Sequence, residues 1–445
     1  MALDLKAMVS NAKSLLKGNG AARARKRALV GIAAIVKNEG PYLLEWIAHH
    51  RAIGIERFFI ADNGSDDGGR ELLVELGKIG IVETFDFKTR PGVPPQLPAS
   101  AEILRRYGNM VEWLAFIDAD EFIIPTVEGQ TISDMLDGAG DRVGAIGLNW
   151  ATYGSSYRNT PSEGLVLERF VRRFPDRATI NKHYKSLLRV SAVYELGDTP
   201  HRFVLKNGFD YAHADMSPLL AHRRLGEGLS LGRAWKPFRL NHYVIKSKAE
   251  FDNKKQARGR ATTTARRDDG FFKNHDSNEV YDPAPERLLK ACRVEMAVLR
   301  SRLREAGCSG NLIELDKQVA GLQPARAVSF TEPGIGRLER VWIEGGQLCM
   351  RGWIAGFGHN RPVEMSVTVD GRSFVVPSAR WSPRSDVMKR FPSAGLETGF
   401  LVAILLDGHG LPPRLPIEMT ATFAHGSVTL ENIGQETWLG AKADG

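Results

Sequence analysis

Three times within the first 125 residues, an apolar run of strand length ends abruptly in a polar cluster. Residues 29–36 end in Lys37-Asn38-Glu39, and residues 57–61 in Asp62-Asn63-Gly64-Ser65-Asp66-Asp67. The run Trp113-Leu114-Ala115-Phe116-Ile117 ends in Asp118-Ala119-Asp120-Glu121. A short apolar run without alternation reads as a strand buried on both faces of a sheet. Between the runs the spacing turns helical: Leu43, Leu44, Ile47, His50 and Ile53 follow Pro41, a residue well tolerated at the first helical position. Gly54 stops that helix. Residues 71–76 read as a second helix, 81–85 as a strand, and 99–107 as a helix beyond a Pro-rich loop at 91–98. Strands alternating with helices predict an α/β domain around a mostly parallel sheet. Ligands of such sheets bind beyond the carboxyl ends of the strands, so three polar ends on one rim predict a ligand site there.

Along an extended backbone Asp118 and Asp120 would point to one side, with Ala119 facing the layer behind. Two carboxylates so placed repel each other unless a cation lies between them. A polar turn capping a core strand accounts for the same residues, so their neighbours decide. The first strand is followed neither by Gly-x-Gly-x-x-Gly nor by a phosphate-cradling loop ending in Gly-Lys-Ser/Thr. A carboxylate-held metal is then the expected anchor for a nucleotide. Asp67 reads as a cap of the following helix and Asp62 as a ligand contact.

The net charge of +8 is uneven. Lys6, Lys13, Lys17, Arg23, Arg25, Lys26 and Arg27 stand against Asp4 alone, so residues 1–28 form a basic segment and the body is near neutral. A near-neutral body argues against a nucleic-acid partner. Leu5, Met8, Val9, Ala12, Leu15 and Leu16 give the segment helical spacing. It is either a self-packed terminal helix or a peripheral membrane contact through residues 1–27. No apolar stretch has membrane-spanning length. Cys292, Cys308 and Cys349 lack metal-ligand spacing and read as free thiols, and with them a cytoplasmic protein at most peripheral to a membrane is expected.

The ordered series along the chain resembles glycosyltransferases of the GT-A fold. Val36-Lys37-Asn38-Glu39, Glu45-Trp46 and Asp62-Asn63-Gly64-Ser65-Asp66-Asp67-Gly68 are similar to the nucleotide-sugar half of family 2. The longer pattern is closer to family 92. It runs through Asp118-Ala119-Asp120-Glu121-Phe122, Trp150, Tyr153-Gly154-Ser155-Ser156, Lys185-Ser186 and His201. It continues with Asn241-His242-Tyr243, Lys246-Ser247, Glu250-Phe251, Lys254-Lys255, Arg258-Gly259 and Asn278-Glu279-Val280. Where relatives commonly carry Gly-His after the Gly-Ser-Ser, this chain reads Tyr157-Arg158-Asn159.

The resemblance implies transfer of a sugar from a nucleoside diphosphate to the hydroxyl of a glycan or lipid-linked acceptor, as in bacterial surface glycan or capsule synthesis. It implies a divalent metal, Mn²⁺ or Mg²⁺, held by Asp118, Asp120 and His242, with Asp120 the principal ligand and Asp118 at the ribose or behind the metal. Lys37, Asn38, Glu39, Asp62, Asn63 and Asp118 would meet the nucleotide sugar, and Lys246, Lys254 and Arg258 the diphosphate. An inverting transfer needs one general base; Glu121, Asp198, Asp215 and Glu163 are the candidates. The competing readings are a Mg²⁺-dependent phosphatase or nucleotidyltransferase using the same carboxylates, and a non-catalytic sugar-binding protein.

Beyond the catalytic domain, expected at 29–283, residues 284–333 read as a helical linker. Leu288, Leu289, Cys292, Met296, Leu299 and Leu303 form its helical stripe. From 334 to 445 short alternating runs and the turn signals Gly345-Gly346 and Asp370-Gly371 predict a β-sandwich. Trp342, Trp353 and Trp381 are either sugar-stacking or core residues there.

Overall fold

The computed structural model describes residues 29–90, 92–222, 226–256, 267–325, 334–344, 347–356, 362, 364–369, 372–376, 379–384, 386–387, 398–405, 414–415, 417–423, 426–432 and 437–438. The basic segment 1–28 lies outside them. Two compact units divide the chain: residues 1–155 with 160–325, and residues 156–159 with 326–445.

The first unit begins with β1 (Val30–Val36), α1 (Gly40–Ala52), β2 (Arg57–Asp62), α2 (Gly69–Lys78), β3 (Glu83–Asp86), α3 (Gln96–Tyr107) and β4 (Trp113–Phe116). It continues with β5 (Glu121–Pro125), β6 (Val143–Thr152), β7 (Tyr184–Arg189), β8 (Asp210–His213), β9 (Phe238–His242) and α4 (Glu286–Glu305). Its sheet runs β3-β2-β1-β4-β7-β6-β9-β5, with β8 also on β6. The pairs β1–β2, β2–β3, β1–β4, β6–β8 and β6–β9 are parallel, and β7 and β5 run against their neighbours. The expected α/β class with a mostly parallel sheet is therefore the one observed.

Period-2 alternation assigns the two faces. Ile32, Ala34, Phe58 and Ile60 enter one core with Trp46 and Ile47 of α1, while Ala33, Phe59 and Ala61 enter the other with Ala99 and Ile103 of α3. The stripe of α4 (Leu288, Cys292, Met296, Leu299, Leu303) is buried in the first of these cores. Glycine is required where the amino ends of α1 and α2 meet, because a Cβ on Gly40 would stand 2.9 Å from the Gly69 nitrogen. Asp67 bridges the two ends, accepting from the backbone N–H of Gly40 (2.8 Å) and of Gly69 (3.0 Å).

Two expectations fail here. The run from Trp113 does not continue through the carboxylates as one strand. β4 stops at Phe116, the Glu121 N–H bonds to the Asp118 carbonyl at 3.0 Å, and β5 leaves to pair with β9 at the far edge. Asp118 and Asp120 thus sit in a tight turn, where strand alternation has no meaning. Secondly, α3 begins at Gln96, inside the stretch expected to be loop, since Pro98 within the first turn costs no helical hydrogen bond. The free edge of β5 is covered by α1. Trp46 donates to the Glu121 carbonyl (2.8 Å), His49 Nε2 lies 2.8 Å from the Ile123 carbonyl, and His50 Nε2 accepts from the Ile123 N–H (3.1 Å).

The second unit is a sandwich of antiparallel sheets. One runs Arg380–Ser382, Gly399–Leu405, Gln347–Gly356, Gly334–Glu344, with a short parallel edge strand at Glu431–Asn432. The other runs Arg372–Val375, Glu364–Val369, Ile417–Phe423, Gly426–Thr429. Leu348, Met350, Phe400 and Val402 of the first sheet share a core with Met365, Val367, Met419 and Ala421 of the second. The turn residues Gly345, Gly346, Asp370 and Gly371 lie outside the described residues, but the strands flanking them pair antiparallel, Glu344 with Gln347 and Val369 with Arg372. Trp353 is buried beside Tyr157, Ala355 and Val387, Trp381 packs against the main core, and Trp342 donates to Glu344 at 3.0 Å.

Candidate functional site at the carboxyl ends of the strands

Parallel registers bring the strand ends to one rim: Val36 lies beside Asp62, Asp62 beside Asp86, and Thr152 beside His242. Because β7 runs the other way, its first residues reach the same rim, with Tyr184 opposite Asn149. Residues 37–39, 62–67, 118–121, 150–152, 183–185 and 242–246 therefore surround one opening.

At its centre lies Lys185, 2% exposed. Its ammonium stands 3.1 Å from Asp118 Oδ2 and 4.0 Å from Glu121 Oε2. Burial alone would lower the Lys185 pKa, but the Asp118 and Glu121 carboxylates outweigh it and the net shift is upward. Asp118 also accepts from Gln96 Nε2 at 2.7 Å, and its own N–H donates to Glu121 Oε2 at 2.8 Å. Burial pushes the Glu121 carboxyl well above the usual range despite Lys185. Behind Asp118 lies a cavity of about 10 Å³, room for one water, lined by Ala34, Gln96, Ser100, Phe116 and Pro200. Neither Lys185 as a partner of Asp118 nor Gln96 was assigned a role from sequence. The sign for Lys185 was its place in the family series; Gln96 gave none.

Asp120, on the other side of the turn, has Oδ1 3.7 Å from His242 Nε2. Among the described residues no group of three or more His, Cys, Asp or Glu side chains is gathered as a metal-binding set. Asp120 and His242 fit a cation as a donor pair, since oxygen and imidazole nitrogen both bind Mn²⁺ and a site shared with phosphates keeps several positions for water and substrate. Asp118 is committed to Lys185 and Gln96 instead.

The residues expected to meet a nucleotide are tied to one another. Asn38 N–H donates to Ser65 Oγ (3.0 Å) and Asn38 Oδ1 accepts from the Asp66 N–H (3.0 Å). Asp62 is buried, its Oδ2 accepts from the N–H groups of Gly64 (3.1 Å) and Ser65 (3.2 Å), and its Oδ1 has no hydrogen-bond partner. Asn63 accepts from Thr89 Oγ1 at 2.6 Å. Lys37 is exposed. Lys246, buried and held at φ +57°, places its ammonium 4.2 Å above the Tyr42 ring and 4.0 Å from Glu39 Oε2. Tyr42 in turn donates to Glu250 (2.8 Å), which pairs with Arg169 at 3.0 Å; burial alone would raise Glu250, but Arg169 holds it down at about 2. The side chain of Lys254 and all of Arg258 lie outside the described residues.

Of the candidate bases, Glu121 is fully buried and fastens the turn. Glu163, Asp198 and Asp215 are exposed, and Asp215 accepts from the Ser217 N–H (3.0 Å) and hydroxyl (2.6 Å). Asp198 stands two residues before the cavity-lining Pro200.

Residues 29–206 match the family model described as Glycosyltransferase family 92, so this part of the chain is family-92-like, as its motif series indicated. A glycosyltransferase family 92 protein of Ricinus communis is 29% identical over 197 residues, covering 42% of this chain and 34% of the relative. One of Oryza sativa subsp. japonica is 28% identical over 226 residues, covering 49% and 34%. The chain thus spans about a third of the length of these curated relatives. Among solved structures, residues 1–349 of TarS from S. aureus align with a TM-score of 0.25 at 14% identity, covering 37% of this chain and 47% of that one. Glucosyl-3-phosphoglycerate synthase from Mycobacterium tuberculosis, in complex with Mn²⁺, UDP-glucose and phosphoglyceric acid, aligns with a TM-score of 0.19 at 13% identity, covering 35% and 51%.

Proposed function

We propose that this chain is a metal-dependent glycosyltransferase that moves a sugar from a nucleoside diphosphate to a hydroxyl of a glycan or lipid-linked acceptor, with inversion. The observation that carries the reading is the division of the Asp118–Asp120 turn, with Asp120 beside His242 and Asp118 neutralised by Lys185. Asp120 and His242 would hold Mn²⁺ or Mg²⁺, which when bound offsets the charge growing on the departing diphosphate. Asp62, with a buried oxygen lacking a partner, accepts from the nucleoside. Lys246 brings a buried positive charge to the phosphates, and its left-handed backbone and the Tyr42 ring fix its direction. Lys185 holds the Asp118 carboxylate oriented beside the ribose. Asp198 is the base to test first, because its loop borders the Asp118 cavity. Work on a cell-surface glycan from the cytoplasmic side, with residues 1–27 touching an anionic membrane, is part of the same proposal. Among the described residues no helix is long and apolar enough to cross a membrane.

The test is thermal stabilisation of the full chain by UDP, GDP, ADP and CDP, each with and without Mn²⁺. One diphosphate should stabilise it only with the metal, and Asp120→Ala should remove both that effect and release of diphosphate from the matching sugar donor. Full transfer by Asp120→Ala would sink the metal assignment. Failure of every diphosphate would sink the transferase.

A further inference from the structure

Four rings from four separate segments meet beside Asp120. Trp150 lies near the end of β6, His183 precedes β7, His201 lies in the connection before Phe203, and His242 closes β9. The Trp150 ring centre lies 4.2 Å from that of His242, 4.8 Å from His183 and 5.4 Å from His201, and His183 lies 5.5 Å from His201. Trp150, His183 and His201 are partly exposed, so the cluster is a wall of the opening and not its floor. Its far end lies towards the other carboxylate, because His183 stands two residues before the Lys185 that pairs with Asp118 and His201 Nδ1 lies 2.8 Å from the carbonyl of Tyr184.

We propose that this wall is the subsite for one pyranose ring, whose C–H face lies on the aromatic surface between Asp118 and Asp120. The inference rests on the transferase reading and adds to it where the sugar lies. Three observations carry it. Aromatic rings offer a flat apolar surface that matches a sugar's C–H face, and charged side chains do not. The Trp150 indole N–H, His183 Nδ1 and Thr152 Oγ1 are buried polar atoms with no hydrogen-bond partner, and Trp150 and Thr152 share one face of β6. Unpaired groups of this kind in a packed strand end cost stability, and sugar hydroxyls can supply what they lack. Burial also holds His183 down to about 4 and His201 well below its ordinary value, so both imidazoles are neutral; His201 donates from Nδ1 to the Tyr184 carbonyl at 2.8 Å, which leaves its other nitrogen to accept from a sugar hydroxyl. The ring could be the donor's sugar or the acceptor's; the wall recognises the shared chemistry.

Trp150→Phe and His183→Phe keep an aromatic ring and remove the nitrogen. Calorimetry on the full chain with Mn²⁺ would compare the nucleoside diphosphate that binds with its hexose conjugates. Affinity for the diphosphate alone should stay within about twofold, while affinity for the conjugate should fall about tenfold if the ring is the donor's. If it is the acceptor's, conjugate binding should hold and the KM of a methyl glycoside that stimulates diphosphate release should rise about tenfold. Unchanged values in both arms would overturn the proposal. So would equal loss of diphosphate and conjugate binding, which would make the rings structural. If wild type binds no diphosphate, the transferase reading has failed separately. Saturation-transfer NMR with methyl glycosides then decides the wall, and absence of signal from pyranose ring protons ends it.

Discussion

At the ends of β1 and β2, Asn38, Ser65, Asp66, Asp67 and Gly40 bond to one another between two adjacent parallel strands. At the ends of β4, β6, β7 and β9, charges and rings meet from segments far apart in the chain: Asp118 with Lys185, Trp150 with His242. The first half of the rim spends most of its polar groups on holding two loops in place, with Asp62 Oδ1 left without a partner. The second half carries a buried ammonium among carboxylates and several buried polar atoms without partners. A loop pair that bonds mostly to itself shapes a pocket, whereas a charged, incompletely paired cluster is where chemistry is expected.

The sharpest way to break this contrast is Lys185→Met. Removing one member of a buried charge set leaves the others uncompensated, and about 3–5 kcal/mol of stability should be lost in denaturant unfolding. Adding Glu121→Gln should restore part of the loss, because one repelling carboxylate is then neutral. If Lys185→Met is as stable as wild type, the second half is not held by this ammonium.

A smaller effect should show in the pH dependence of the second half. His183 titrates near 4 in the folded chain against 6.5 ordinarily, because burial disfavours its charged form. Between those values the unfolded chain binds a proton that the folded chain refuses, so stability falls as pH drops from 6.5 towards 4. His183→Gln should remove up to about 3 kcal/mol of that slope, read from unfolding at pH 7 and pH 4.5. Glu121 acts with the opposite sign, since its raised pKa makes stability fall as pH rises. A slope unchanged in His183→Gln would show that this ring is not the group being charged.

The same contrast explains what could be read from sequence. The first half was legible because β1, α1, β2 and α2 follow one another and each apolar run ends in its own polar cluster. The sandwich was legible from hairpin spacing, which is also local. Asp120 and His242 were paired only through the family resemblance, since nothing local says that β5 crosses to lie beside β9. Lys185 needs the antiparallel register of β7 against β4, and Gln96 needs a helix that begins inside a Pro-rich stretch. The alternation expected of Asp118 and Asp120 failed for a similar reason: a four-residue turn replaced a continuous strand, and apolar pattern alone does not locate such a turn.

The smallest effect belongs to the first half. Asn38 holds φ at +55°, a conformation that Asn tolerates better than Ala, and its side-chain oxygen accepts the Asp66 N–H at an exposed site. Asn38→Ala should therefore lose about 1 kcal/mol, combining one hydrogen bond with backbone strain. Asn38→Gly gives up the same bond but relieves the strain, so it should fall between Ala and wild type. Diphosphate affinity should drop only as far as the Ser65–Asp67 loop loosens, and less in Gly than in Ala. If Asn38→Gly instead abolishes diphosphate binding while remaining as stable as wild type, the Asn38 side chain touches the nucleotide directly. Asn38 would then join Asp62 as a binding residue and not only support the loop that carries it.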